Sequence, residues 1–512
     1  MTSNTSARPE TGRAATPPPA TPAPATPAPA PATPASALAG PASGTAPWLV
    51  ALLRRLHFYA GILVGPFLLA AAVTGGLYAA APQIENLAYA TELTGSPGTP
   101  LPLERQIQAA QDFRGSTAVP SAVRPGTDGG TTRVMFADNS LGESESLAVF
   151  VDPATAKVTG ELTAYGTSGS LPLRAWIDQM HRSLNLGDAG RLYSELAASW
   201  LWVVTLGGVA LWVAQRGRSP RPLTPRTGTP RTVTPRTGSR ARLLGLHKAL
   251  GLALAAGFVG LAATGLTWSK HAGDNVSQLR AALGWDTPSL SRELAVEAVP
   301  VPASPAHAGH QGHGGHAMAD PASAVPNSGF DAALAAARGA GIDAAKVEIK
   351  PGAAGGQAWS VAEIDRSWPT QVDAVSLDPR DMAVVDSVDF KDFSVPAKLS
   401  RWGIDAHMGT LFGVANQVVL LALASGLACM VVWGYMMWWK RRPRAAIGLR
   451  FGPLPPRGAL RRSPWWTVPA VAAAAVTAGV FVPLLGISLA GFLLVDLLRA
   501  AVSRRRETGC AG

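Results

Sequence analysis

Four histidines mark the ends of apolar stretches in a chain that repeats itself. His57 lies near the start of LRRLHFYAGILVGPFLLAAAVTGGLY (53–78), and His247 near the start of LLGLHKALGLALAAGFVGLAATGLTW (243–268). A shift of 190 carries His57 onto His247, Gly61 onto Gly251, Thr74 onto Thr264 and Gly75 onto Gly265. A shift of 226 carries Asp152-Pro153 onto Asp378-Pro379, Trp176 onto Trp402, His181 onto His407, Gly187 onto Gly413 and Trp212 onto Trp438. Such self-similarity reads as two copies of one unit. Both copies begin with a span running from inside to outside, so they are expected to be parallel repeats about an axis along the membrane normal, with equivalent residues at equal depth. Two imidazoles facing across that axis supply two axial nitrogens to one planar metal macrocycle, the arrangement a b-type haem needs. The prediction is two haem b groups: His57 with His247 near the inner surface, and His181 with His407 near the outer one. The rise from His57 to Tyr78 is roughly 30 Å at 1.5 Å per residue, which puts the pairs near opposite faces of the hydrocarbon.

The plain alternative for any one of these histidines is an interfacial polar residue beside arginines. Ancestral doubling explains matching positions, but not why each copy keeps histidine where much else has diverged. His271 competes for the outer site, and its counterpart Ala81 counts against it. The span glycines are ordinary helix-packing residues or room for a flat cofactor. Trp200, Trp202, Trp212, Trp433, Trp438 and Trp439 are expected as interfacial anchors.

A second cluster, His307, His310, His313 and His316, stands in HAGHQGHGGH, followed by Met318. The two shifts differ by 36 residues, and the tract falls within that extra sequence (about 300–325). Imidazoles repeated every third residue on a Gly- and Ala-rich segment can wrap Cu(II), Ni(II) or Zn(II), with Met318 as a soft ligand for Cu(I). A solvated linker that binds metal weakly is the equal alternative.

The elements that must position these residues follow from composition. The chain has 512 residues, 15% of them charged, with 54 Gly and 43 Pro and recurrent apolar runs of about 20 residues, so it reads as a polytopic α-helical membrane protein. The net charge of +11 does not point to nucleic acid, because Arg and Lys sit beside the spans as topology signals. Cys429 and Cys510 have neither a CxxC nor a disulfide setting. Residues 1–46 are a Pro/Ala/Thr-rich tail expected to be disordered. Spans are expected at 52–81, where Pro66 should bend the helix, and at 192–214, 243–268 and 411–439. The Arg-rich linker 215–242, the basic loop 440–465 and the tail 503–512 are expected in the cytoplasm, as is the N-terminus. Residues 466–502 are apolar and broken near Pro483 to Gly486, which suits a C-terminal hairpin of two short spans, helices 5 and 6.

The exterior segments 82–191 and 269–400 have mixed composition. In the first, a helical stretch at 103–113 precedes β-type runs at 132–137 and 147–151. In the second, a helical stretch at 330–338 precedes runs at 346–349, 358–364 and 372–377. Each ends on an Asp-Pro turn, Asp152-Pro153-Ala154-Thr155-Ala156-Lys157-Val158 and Asp378-Pro379. That turn after a helix and strands resembles the PepSY domain. Histidine-led spans flanking such domains resemble the PepSY-associated transmembrane family of iron-regulated bacterial membrane proteins, over roughly residues 48–442. The fold class predicted is thus two parallel repeats of span, exterior α+β PepSY-like domain and span, plus the C-terminal hairpin. The Pro-rich tail, histidine tract and hairpin depart from the family core. The resemblance implies an inner-membrane protein, bis-histidine haem, and reduction of external ferric chelates such as siderophore-iron.

No P-loop, GxGxxG after a strand, Ser/His/Asp or HExxH arrangement is present. Electrons for such a reduction would come from a cytoplasmic donor or a membrane quinol. Two other classes stay open: a non-catalytic membrane protein whose PepSY-like domains bind peptides or a partner, and a copper or divalent-metal handling protein that collects ions on the histidine tract.

Overall fold

The computed structural model describes residues 47–216, 239–294, 326–352, 356–442, 455 and 463–509. The expected N-terminal tail, most of the Arg-rich linker, the histidine tract with His307, His310, His313 and His316, and most of the basic loop lie outside these residues.

The first span is two helices in tandem, α1 (Pro47–Leu63) and α2 (Gly65–Ala88). Pro66 has no amide hydrogen, so the carbonyl of Ile62, four residues earlier, loses its helical partner. Tyr435 replaces it: its hydroxyl donates to Ile62 O at 2.6 Å, and its ring lies 3.1 Å from where a Cβ on Gly65 would stand. Tyr435→Phe therefore leaves that carbonyl without a donor. The expected cost is about 1 kcal/mol, read as a lower melting temperature in detergent; an unchanged melt would show that the bond contributes nothing.

The chain continues through α3 (Ala90–Leu93), α4 (Leu103–Arg114), strands β1 (Ala122–Arg124), β2 (Thr132–Phe136), β3 (Glu145–Val151) and β4 (Val158–Tyr165), and α5 (Pro172–Ser183). The long helices α6 (Gly187–Arg216) and α7 (Ser239–Thr267) follow, then α8 (His271–Ala282), α9 (Ser328–Gly339), and strands β5 (Val347–Lys350), β6 (Trp359–Glu363), β7 (Ala374–Leu377) and β8 (Val384–Val388). The chain closes with α10 (Val395–His407), α11 (Val414–Trp439), α12 (Thr467–Phe481) and α13 (Pro483–Gly509).

Segments 82–191 and 269–400 do not form separate sheets. Their strands make one eight-stranded antiparallel sheet in the order β4-β3-β2-β1-β5-β6-β7-β8. The seam is the β1–β5 pair, where Val123 faces Ile349, residues 226 apart. Period-2 alternation sends Val123, Val134, Val149, Ile349, Val361 and Val375 to one face, where they bury Ile107 of α4 and Phe330 of α9. Asp331 ties these two helices together by accepting from the amides of Leu103 and Glu104 at 2.8 and 2.9 Å. The Asp-Pro turns match in conformation. Asp152 accepts from the Ala154 amide and Asp378 from the Arg380 amide, and Ala156 and Met382, again 226 apart, take φ of 57° and 58°.

Beneath the sheet, α2, α6, α7 and α11 are each long and apolar enough to cross a membrane. They stand in a ring, α2 beside α6, α6 beside α7, α7 beside α11 and α11 beside α2, with α1 against α6. Leu68, Leu201, Phe258 and Leu423, one from each, meet at its centre. The C-terminal helices α12 and α13 fold back on each other where Gly479 and Gly486 touch. Their apolar parts, Thr467–Phe481 and Pro483–Val495, are shorter than the four ring helices. Trp200 does not sit at an interface as expected. It is 1% exposed, donates from Nε1 to Ser488 Oγ at 2.8 Å and stacks on Phe492, because the hairpin covers that face of α6.

Candidate functional site

The bundle brings the four histidines together in two pairs. At the end away from the sheet, His57 on α1 and His247 on α7 have ring centroids 6.3 Å apart, their planes at 85°. At the sheet end, His181 on α5 and His407 on α10 are 6.4 Å apart at 46°. The levels are separated along the bundle: His57 and Thr74, the residue that touches His181, lie 17 positions apart, about 26 Å of helix at 1.5 Å per residue.

The sheet-end pair is oriented by two threonines. Thr74 donates its hydroxyl proton back to Ala70 O at 2.7 Å, and Thr264 donates to Gly260 O at 2.8 Å. Each has spent its only proton, so each hydroxyl oxygen accepts from an imidazole: Thr74 Oγ1 from His181 Nδ1 at 3.0 Å, and Thr264 Oγ1 from His407 Nδ1 at 2.7 Å. With the hydroxyl protons so directed, the imidazole proton sits on Nδ1 and the Nε2 lone pair is available to a metal. Helices α5 and α10 lie outside the spanning helices. Burial pushes both imidazoles down to about 4, the neutral form that ligation requires. Tyr193 pins the end of α5 by donating to His181 O at 2.7 Å, and Trp268 meets the His407 ring edge-on at 5.7 Å.

At the other end His57 Nδ1 donates to Val204 O at 3.0 Å. Val204 shifted by 226 is Met430, whose carbonyl faces His247 without closing a hydrogen bond on its buried Nδ1. Two glycines make room for the rings: a Cβ on Gly75 would stand 3.0 Å from His181 Cε1, and one on Gly208 would stand 3.2 Å from His57 Cε1. His271 is exposed at the start of α8, where its amide and that of Ala272 donate to the buried carboxylate of Glu195.

A cavity of about 670 Å³ opens around His57 and His247, inside the roughly 300–1,000 Å³ range of cofactor sites. Gly61, Gly251, Trp212 and Trp438 line it, with Leu68, Leu201, Phe258 and Leu427 as apolar wall. Exposed Arg54, Arg240 and Arg441 line it near the solvent end.

These observations fit a flat metal macrocycle. Two imidazoles that each placed a ring nitrogen about 2 Å from one metal, with roughly 1.1 Å from nitrogen to ring centre, would have centroids about 6.2 Å apart. Both pairs have that spacing. Among the described residues no group of three or more His, Cys, Asp or Glu converges as a metal site, and each pair offers two imidazoles. Thr74, Thr264, Val204 and Gly208 gain roles that periodicity alone did not assign. The signal for them was in the chain: the same shifts pair Thr74 with Thr264, Val204 with Met430 and Gly208 with Gly434.

Four apolar ring helices, an extramembrane α+β layer built on one antiparallel sheet, and paired histidines at both ends of the ring define a multi-pass membrane protein. The family model of the PepSY-associated TM region matches residues 54–441, most of the chain, and the protein belongs to that family. No curated protein matches the chain.

Proposed function

We propose that this protein is a two-repeat, two-haem electron carrier of the bacterial inner membrane that reduces ferric chelates, such as siderophore-iron, outside the membrane. In this reading the sheet faces the periplasm or cell exterior and both termini are cytoplasmic. Electrons enter at the His57–His247 end from a cytoplasmic donor or a quinol. The observation that carries it is the spacing of the two imidazole pairs, 6.3 and 6.4 Å. Bound at each pair, haem b would supply a one-electron Fe(III)/Fe(II) couple. The chain's own residues do the rest. Thr74 and Thr264 hold the sheet-end imidazoles in the ligating tautomer, and the Val204 carbonyl does so for His57. Leu68, Leu201, Phe258 and Leu427 give the cavity an apolar wall, and Arg54, Arg240 and Arg441 offer charge to carboxylates at the open end.

The test is an absorption spectrum of the detergent-purified protein, oxidised and then dithionite-reduced, with haem quantified per chain. A low-spin b-type spectrum near two haems per chain is expected; a colourless protein from haem-replete cells would sink the proposal. Thr264→Val keeps the side chain's shape and removes the acceptor for His407 Nδ1. Loss of such an outer-shell partner lowers metal affinity about 10–100-fold, so haem should leave this variant faster when challenged with apomyoglobin. An unchanged rate of loss would show that the threonine does not set the ligand.

A further inference from the structure

A second cavity, of about 370 Å³, lies between the sheet and the bundle and is not used by either histidine pair. Six cationic side chains line it: Arg124, Arg174, Lys346, Lys350, Arg366 and Arg401. The carboxylates on its wall are already engaged. Glu348 holds Arg124 at 2.6 Å and Lys350 at 2.7 Å. Glu363 accepts from the amides of Asp343, Ala344 and Asp373. Asp365 accepts from the amide and hydroxyl of Ser367, with Lys346 only at 3.9 Å. Behind the wall, Asp405 holds Arg401 at 2.6 Å and reaches Arg366 at 3.6 Å.

That leaves Arg174 without a carboxylate in ion-pair range among the described residues. Its Nε is buried without a hydrogen-bond partner, and its guanidinium lies 5.7 Å over the Tyr78 ring. Tyr78 also takes a hydrogen bond from this guanidinium, and the remaining donors of a planar five-donor fork suit a carboxylate. A buried donor atom with no acceptor costs free energy until an acceptor arrives. Met408, the residue after His407, lines the same cavity, so an occupant would sit beside the sheet-end pair.

We infer that this cavity binds a small polycarboxylate-type anion from outside the protein, held by Arg174, Arg366 and Lys346. The inference rests on the proposed function for what the anion delivers, chelated iron, but not for the binding itself. Carboxylate oxygens have one other possible source here, the propionate groups of a haem held by His181 and His407, and the test separates the two.

The probe is citrate, iron-free and as ferric citrate, titrated by calorimetry at low ionic strength into the full-length protein in detergent. Saturable binding near one site per chain is expected, weakened about tenfold by Arg174→Gln and likewise by Arg366→Gln, the scale of one charge-assisted hydrogen bond. The haem spectrum, midpoint potentials and melting temperature should stay unchanged in at least one of the two variants. Absence of saturable binding to the wild type, or equal affinity in both folded variants, overturns the inference. So does a variant with altered haem content or potential and unaltered citrate affinity, because the carboxylates would then be the haem's own. A colourless protein that still binds citrate would refute the haem reading and keep the site.

Discussion

His407→Ala is expected to halve the haem content, from about two per chain to about one, with the remaining spectrum still low-spin and b-type. The reason is geometric. Among the described residues the imidazole beside His407 is that of His181, at 6.4 Å, and the other aromatic ring beside it belongs to Trp268, which has no lone pair to offer a metal. His57→Ala should remove the other half, because among the described residues the imidazole paired with His247 is that of His57, at 6.3 Å. The double variant should be colourless. His271→Ala is the control: its side chain is exposed, and the work of that position is done by its backbone amide on Glu195. Haem per chain by pyridine haemochromogen decides the matter. Two haems retained in His407→Ala, or one lost in His271→Ala, would overturn the assignment of the sheet-end pair.

The second large effect concerns the seam of the sheet. Arg124 on β1 donates from Nε to Glu348 on β5 at 2.7 Å; both side chains are 9% exposed. The guanidinium also donates to Thr167 O and Ser168 O, so it clamps the loop before α5 to the joint between the halves. Glu348→Ala removes the only carboxylate paired with Arg124 among the described residues and strands a buried cation, at a cost of about 3 kcal/mol. Unfolding of the sheet layer, followed by limited proteolysis or denaturant titration, should move accordingly. A shift under about 0.5 kcal/mol, the size expected of an exposed pair, would show that the seam does not depend on this bridge.

The same pair carries a pH dependence. Desolvation works against the Glu348 carboxylate, but Arg124 and Lys350 outweigh it and hold the group below its ordinary value of 4.5. A depressed carboxylate contributes stability that is present above its unfolded value and lost as pH falls through the folded one. Wild type should therefore lose stability below about pH 4.5 more steeply than Glu348→Ala.

How much of this was legible beforehand depended on the range of the interaction. Hydropathy is a local property, and four runs of the right length marked the four ring helices. The 190 and 226 shifts singled out the histidines that the fold gathers, because each sits at a fixed place relative to its own span. Trp200 misled for the same reason: a tryptophan in an apolar run has the composition of an interfacial anchor, and only the hairpin some 280 residues later buries it. The exterior segments read as two domains because each has its own helix, strands and Asp-Pro turn. Their union hangs on β1 and β5, strands of three and four residues with one register pair, Val123 to Ile349, too short to announce a partner.

Hydropathy, periodicity and Asp-Pro geometry act within a few residues, so the spans, the repeated histidines and the turn chemistry are written along the chain. The tertiary structure decided what each imidazole can do. Thr74 lies 107 residues from His181 and Thr264 lies 143 from His407, and nothing local says that these hydroxyls, their protons already given to the helix behind them, will accept from Nδ1 and leave Nε2 free. It likewise decided that Tyr435 would meet the carbonyl orphaned by Pro66, and that Arg174 would line a cavity with no carboxylate in ion-pair range of it among the described residues. In each case a polar group buried by folding must find its partner across the fold, and the partner's distance along the chain is set by packing.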